Sequence, residues 1–214
     1  MRKLVHIATT LLLFACIAFT SSRAAESEKN EEGFTPLSDG KTFTGWKMST
    51  ENTNTWKIEE GAFVTRGPVA HLFYVGDTNP FKNFELKVDV MTEPGSNGGI
   101  YFHTAYQEKG FPRAGIECQV NVSQSDWIKT GSLYGLANFG LTSAKDNQWW
   151  TQHIIVRGRK VTVKIDGRNV IEYNQPPVSP TGRGKRLGEG TFALQAHDPK
   201  SIIHYKNIRV KRLD

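Results

Sequence analysis

The sequence predicts an all-β protein, a two-sheet antiparallel jelly-roll sandwich. Many short runs alternate apolar and polar residues, as strands with one buried face do. Gly, Pro, Asn or Asp bounds nearly every run, and no long stretch repeats with the helical period. Short strands and frequent turns over one core read as a sandwich, and the curvature of a jelly roll gives one sheet a natural groove.

The first 25 residues stand outside that fold. MRKLVHIATTLLLFACIAFTSSRAA opens on Arg2 and Lys3, runs apolar from Leu11 to Phe19, and closes on Ser22-Arg23-Ala24. That order is a secretory signal peptide, and the apolar run is short for a membrane span. Cleavage after Ala24 or Ala25 is expected, with export to the periplasm or the medium. Lipoprotein processing at Cys16 is the weaker alternative, because Phe14 fits the processing box poorly and apolar residues continue past the cysteine. Residues 26–33 read as a flexible polar lead-in, and residues 34–214 as a single domain large enough for a proper core. No later segment is apolar enough to span a membrane.

The whole chain carries 27 Lys and Arg against 21 Asp and Glu, a net charge of +6. Three of those positive charges, Arg2, Lys3 and Arg23, leave with the signal. The remaining bases are scattered except at Arg183 to Arg186 and Lys206 to Arg212, which read as a solvated loop and a solvated edge. That distribution excludes a nucleic-acid footprint, which is denser and one-sided. Of the two cysteines, Cys16 is removed, so Cys118 has no internal partner and the core alone must hold the fold. Cys118 alternates with Ile116 and Val120 and is expected to be a small buried residue.

Strand signals then follow in order. Phe84 to Val90 alternates cleanly. Gly99 to His103, Gly115 to Val120, Ile154 to Val156, Val161 to Ile165, Val170 to Tyr173, Phe192 to Ala196 and Ile202 to Val210 complete the series. Asp166-Gly167 is a hairpin turn signal, since both residues accept positive φ. Arg157-Gly158-Arg159-Lys160 reads as a second tight connection. PPVSPTGRGKRLGEG (176–190) is a Pro/Gly-rich loop, and Asp39-Gly40-Lys41 a structural turn.

Three of these strands back an apolar face with a polar doublet. In GIECQV the doublet is Glu117 and Gln119; in GGIYFH it is Tyr101 and His103; in FALQAH it is Gln195 and His197. None contains Lys, the usual filler of a plain wet face. A half-exposed sheet shows polar residues at period two in any case. Glu, Gln, His and Tyr together, however, are the hydrogen-bonding and titratable types that suit a site for a polyhydroxyl ligand. Gly98 and Gly99 before Tyr101 mark a bulge or a close approach.

Several blocks in order resemble the bacterial 3-keto-disaccharide hydrolase domain family, over Phe34 to Leu213. They are FTPLSDGKTFTGWK (34–47), GSNGGIYFH (95–103), GIECQVN (115–121), TGSLYG (130–135), IDGRNVIEY (165–173), LQAHD (194–198) and YKNIRVKRL (205–213). The chain departs from the family pattern at Asn121, where Asp is common, and at His103, where Arg is common. The resemblance implies a concanavalin-like, laminin-G-like jelly roll. It also implies a substrate, a 3-keto-glycoside or 3-keto-disaccharide, and with it an upstream sugar 3-dehydrogenase as a partner.

The chemistry follows from such a substrate. A C3 ketone acidifies the C2 hydrogen, so a base can form an enolate that expels the C1 glycosidic oxygen. Addition of water completes a net hydrolysis. The site needs a base, a group for the enolate oxygen and an acid for the leaving group. Glu117 is the first choice for base or metal ligand, and His103 and His197 are candidates for proton transfer. Tyr101, Gln119, Tyr134 and Gln195 are expected to contact sugar, with Trp149, Trp150 and Tyr101 as a ring platform, although one of the Trp pair must face inward. Glu117, His103 and His197 could together hold a divalent ion, so a metal is left open. Gly-x-Ser-x-Gly, Walker and Glu-x-Asp-x-x-Glu motifs are absent. Two other readings remain: a non-catalytic secreted carbohydrate-binding module of laminin-G or lectin type, and a structural cell-envelope domain.

Overall fold

The structure, a computed structural model, describes residues 31–177 and 185–214. The signal segment, most of the lead-in and the centre of the 176–190 loop lie outside the described residues. Residues Thr35–Asp214 form one compact unit. Its strands are β1 (Thr35–Pro36), β2 (Trp46–Met48), β3 (Trp56–Glu59), β4 (Ala62–Thr65), β5 (Ala70–Tyr74), β6 (Phe84–Thr92), β7 (Asn97–Thr104), β8 (Ile116–Asn121), β9 (Trp150–Arg157), β10 (Lys160–Ile165), β11 (Arg168–Asn174), β12 (Thr191–Ala196) and β13 (Ile203–Arg212). Among the described residues there is no helix, and so none long and apolar enough to cross a membrane.

An eight-stranded sheet runs β11-β10-β9-β6-β13-β4-β3, with β1 also paired to β13; a five-stranded sheet runs β2-β5-β12-β7-β8. Every pairing is antiparallel. The expected jelly-roll sandwich is the observed architecture. Inward residues of both sheets form one core, with Phe84, Leu86 and Val88 of β6 and Ile154 of β9 in the same cluster as Ile100, Phe102, Ile116, Cys118, Phe192 and Leu194. Cys118 is free and buried, and its Sγ accepts from Gln152 Nε2 at 3.0 Å. Burial pushes its thiol up to about 12, so it stays a protonated packing group.

The turns are as expected. Asp166 and Gly167 both take positive φ (48° and 77°) between β10 and β11. Asp39 Oδ1 accepts from the backbone N–H of Lys41 and Thr42, each at 2.8 Å, which makes it an Asx turn. Strands β2 to β5 are the ones without a clear sequence signal. All of β4 and most of β5 are buried on both faces, which erases alternation, and β2 has three residues.

One irregularity shapes the site. Thr191 and Phe192 are consecutive, yet they pair with Thr104 and Phe102, leaving His103 as the extra residue of a bulge. His103 has φ 55°. Gly115 and Gly190, both at positive φ, press against this stretch of backbone, and a Cβ on Gly115 would stand 2.5 Å from the Phe102 carbonyl oxygen.

Candidate active site

The outer face of the five-stranded sheet is where the doublets meet. Tyr101 pairs directly with Glu117 across β7 and β8, and Gly99 with Gln119. On the same face, β12 brings Gln195 alongside, paired to His71 of β5. Together with segments from four loops this face forms a cavity of about 300 Å³, lined by Asn97, Tyr101, Phe111, Pro112, Glu117, Gln119, Asp126, Tyr134, Lys185, Gln195 and His197. Of the residues expected from sequence, Tyr101, Glu117, Gln119, Tyr134, Gln195 and His197 are thus brought together.

Glu117 lies at the centre of the polar network. It is 6% exposed. Its Oε2 accepts from the Tyr101 hydroxyl at 2.7 Å, and that hydroxyl accepts from Gln195 Nε2 at 3.1 Å. A Cβ at Gly99 would stand 2.5 Å from Glu117 Oε1, so the close approach that the glycine permits is by the protein's own carboxylate. Gly98 faces the other way, where a side chain would meet Ile203 and the Tyr205 hydroxyl. Burial raises the Glu117 pKa above the usual carboxylate range, against the lowering effects of the Tyr101 hydrogen bond and of Lys185 and His197. The Tyr101 phenol is pushed up by burial and by Glu117, so it remains a donor.

Two acceptors on the cavity wall are left over. Gln119 gives Nε2 to Asn97 Oδ1 at 2.8 Å and Gln195 gives Nε2 to Tyr101, yet Oε1 of each is buried with no hydrogen-bond partner. A buried orphan acceptor costs about 1–3 kcal/mol.

Lys185 is a member that the sequence concealed, since Arg183 to Arg186 read as a solvated loop. Its Nζ lies 4.0 Å from Glu117 Oε2, donates to the Tyr134 carbonyl at 3.3 Å and sits 4.9 Å from the centre of the Tyr134 ring. Burial lowers its pKa while Glu117 opposes the shift. Tyr134 is itself placed by its backbone N–H, which donates to the Glu117 carbonyl at 2.9 Å, because residues 130–134 run along the free edge of β8. Asp198 also belongs with the site, although alternation along a continuing strand turns it to the opposite face from His197. It follows the end of β12, so strand alternation no longer applies, and its Oδ2 lies 3.0 Å from His197 Nδ1. Ser201 Oγ donates to the same oxygen at 2.8 Å and the Lys200 N–H to Oδ1 at 2.9 Å. An ionised aspartate only accepts, so Nδ1 of His197 carries a proton and Nε2 is left for the cavity.

Two expected residues lie elsewhere. His103 is the bulged residue, and its ring turns away from the cavity to pack edge-on against Phe84 and Phe102. Its Nε2 hydrogen-bonds the Lys82 carbonyl at 2.9 Å and its Nδ1 accepts from the Gly188 N–H at 3.2 Å. Burial lowers its pKa, so a neutral ring with both nitrogens engaged clasps two loops. Trp149 lies against the eight-stranded sheet, with Lys206 Nζ 3.7 Å from its ring centre and His204 at 6.2 Å. Trp150 opens β9 facing the core, and alternation sends its neighbour outward. With His103 engaged, the ligand trio considered for a divalent ion does not assemble, and among the described residues no three His, Cys, Asp or Glu side chains converge. Asn121 holds the loop after β8, its Nδ2 donating to the Asp126 and Ile128 carbonyls at 2.9 Å each.

A buried, basic carboxylate with a lysine and a histidine–aspartate pair around it can remove and return protons, and orphan amide oxygens can hold hydroxyl groups. The profile of the 3-keto-alpha-glucoside-1,2-lyase-like domain matches residues 33–211. The chain belongs to this family. A curated 3-keto-disaccharide hydrolase of Bacteroides thetaiotaomicron is 30% identical over 95 residues, which are 38% of this chain. The match spans 33% of that relative's length. Among solved structures, a candidate glycosyl hydrolase from Parabacteroides distasonis superposes with a TM-score of 0.71 at 24% identity, covering 88% of this chain and 97% of that one. A protein of unknown function with a galectin-like fold from Bacillus subtilis does so with a TM-score of 0.62 at 10% identity, covering 84% and 94%. These two likenesses concern the fold. In this 3-keto-alpha-glucoside-1,2-lyase-like domain the cavity lies on the five-stranded sheet, and Phe111 and Lys185 of its lining, with Asp198 behind His197, come from positions that carry no periodic signal.

Proposed function

We propose that this cavity cleaves 3-keto-glycosides by elimination across C1 and C2 followed by hydration. The observation that carries the proposal is Glu117, a buried carboxylate with a raised pKa, beside orphan acceptors that call for hydroxyl donors. Family membership supports the substrate class.

Glu117 takes the C2 proton, and the C2–H electrons form the enolate at C3. The Lys185 ammonium, 4.0 Å from Glu117, is the nearby positive charge for that oxygen. Collapse of the enolate breaks the C1–O bond, and the protonated His197 ring, held by Asp198, gives the leaving oxygen its proton. Water then adds to C1 and gives its other proton to the now neutral His197, while Glu117, its proton exchanged with the entering water, protonates C2, so the net change is hydrolysis. Gln119 and Gln195 accept from the sugar hydroxyls. Export after loss of residues 1–25 places the reaction outside the cytoplasm, and a sugar 3-dehydrogenase acts upstream to supply the ketone.

The test is turnover of a chromogenic 3-keto-glucoside by the mature protein, with and without EDTA, beside Glu117→Gln and with the ordinary glucoside as control. Release from the keto-sugar alone, lost in the variant, supports elimination; EDTA sensitivity adds a metal to it. No release from any keto-sugar, with sugar binding intact in both proteins, makes the protein a carbohydrate-binding module.

A further inference from the structure

The cavity lining is of two kinds. Glu117, Gln119, Gln195 and His197 are polar, whereas Phe111 and Pro112 line it without a single side-chain hydrogen-bonding group. Phe111 is 49% exposed. A half-exposed phenylalanine is commonplace, but this one is held in place by its own loop. Gln107 Nε2 donates to the carbonyls of Lys109, Gly110 and Phe111 at 2.7, 3.0 and 2.9 Å, and Gln107 Oε1 accepts from the Arg113 N–H at 3.0 Å. Glu51 Oε2 accepts from the Gly110 N–H at 2.8 Å. Against the ring lie His71, edge-on at 5.7 Å, and His197 at 5.9 Å. His71 is fully buried and neither of its nitrogens makes a hydrogen bond, with Glu51 Oε1 4.0 Å from Nδ1. Burial takes its pKa down to about 4, so a neutral ring supports Phe111.

A phenyl ring fixed by its loop, with one side supported and about half its surface open, stacks on a ligand with little entropy left to lose. About 300 Å³ is the low end for ligand cavities and suits one sugar ring, and whatever C1 carries must lie by His197, the acid for its oxygen, whose ring is 5.9 Å from that of Phe111. We propose that Phe111 is the platform of a leaving-group site that stacks on a planar aryl aglycone. This deepens the 3-keto-glycoside reading and rests on it for what occupies the rest of the cavity.

The experiment measures binding in Glu117→Gln, where turnover does not intrude, by titration calorimetry with phenyl and with methyl 3-keto-glucoside. The phenyl ligand is expected to bind about tenfold tighter. Adding Phe111→Ala is expected to bring the ratio of the two affinities to about one, and Phe111→Trp to keep the preference. Equal affinities in Glu117→Gln, a preference that survives Phe111→Ala, or no binding of either ligand overturns the platform. Turnover by the wild-type protein is read beside it. Cleavage of neither compound, with the phenyl preference present and erased by Phe111→Ala, sinks the catalytic reading and leaves the platform standing; cleavage without the preference does the reverse.

Discussion

On the outer face of the eight-stranded sheet, opposite charges pair across neighbouring strands: Lys160 with Glu172 at 2.9 Å, Arg209 with Asp89 at 3.6 Å, Arg157 with Glu85 at 3.4 Å. The outer face of the five-stranded sheet carries one carboxylate, Glu117, among Tyr101, Gln119, Gln195 and Asn97, all buried. Both faces alternate with period two. They differ in what fills the polar positions and in what covers them. On the first face each of these charges is met by an opposite one, from the exposed Lys160–Glu172 pair to the largely buried Arg209–Asp89 pair, whereas the amides and the phenol of the second hydrogen-bond one another under loops that bring in Lys185, Phe111 and Tyr134. Periodicity therefore identifies a sheet, and the chemistry of its outward residues identifies which face does work.

The largest effect expected is on turnover. Glu117→Gln is expected to lower kcat on a 3-keto-glucoside about a thousandfold, the size of a lost proton-transfer group. Glu85→Gln, on the other sheet, is expected to leave it unchanged. Steady-state kinetics of both variants breaks the contrast if they behave alike. Asp198→Asn comes next, with a fall on the order of a hundredfold from a mis-set His197 tautomer. A matched loss in kcat/KM with little change in KM is the pattern to look for.

Stability against pH separates the faces further. His71 falls from 6.5 to about 4 because burial disfavours its charged form. The unfolded chain then takes up the proton first, so stability is full above pH 6.5 and is lost as pH falls toward 4. That term amounts to about 3 kcal/mol, and denaturant melts of His71→Phe are expected to lose that much less on acidification than the wild type.

Glu117 runs the opposite way. Its raised pKa penalises the folded state once pH exceeds the ordinary glutamate value. Glu117→Gln is therefore expected to melt higher at pH 7, by about 2–4 °C, and to lose that advantage at acid pH. The smallest change is expected from Lys160→Ala, whose exposed ion pair with Glu172 is screened by water, and denaturant melts of this variant are expected to overlay those of the wild type.

Much of this was legible in the chain. The long alternating strands β6 to β13 announce themselves, and the turn at Asp166-Gly167 has the geometry its residues call for. Tyr101, Glu117, Gln119 and Gln195 share a face because alternation holds through their strands. His103 left its doublet because a bulge adds one residue, and the glycines that permit the bulge, Gly115 and Gly190, are far from it in sequence. Trp149 was misplaced because alternation fixes which of a Trp pair faces outward and leaves open which sheet it leaves from. Lys185, Phe111 and Asp198 sit on loops or past a strand end, where contacts are set by the chain's return path. The run LQAHD placed Asp198 next to a candidate histidine, and the strand's end after Ala196 was the signal that could have freed it to turn back.

The central claim is that the outer face of the five-stranded sheet moves a proton at C2. Cleavage of a 3-keto-glucoside in D2O, stopped early and read by NMR, tests it most directly. The account predicts deuterium at C2 of the released 3-keto-sugar, above the level in untreated sugar held for the same time, and none of this release with Glu117→Gln. Release with the C2 hydrogen retained would contradict it and leave direct hydrolysis at C1 as the chemistry of this face.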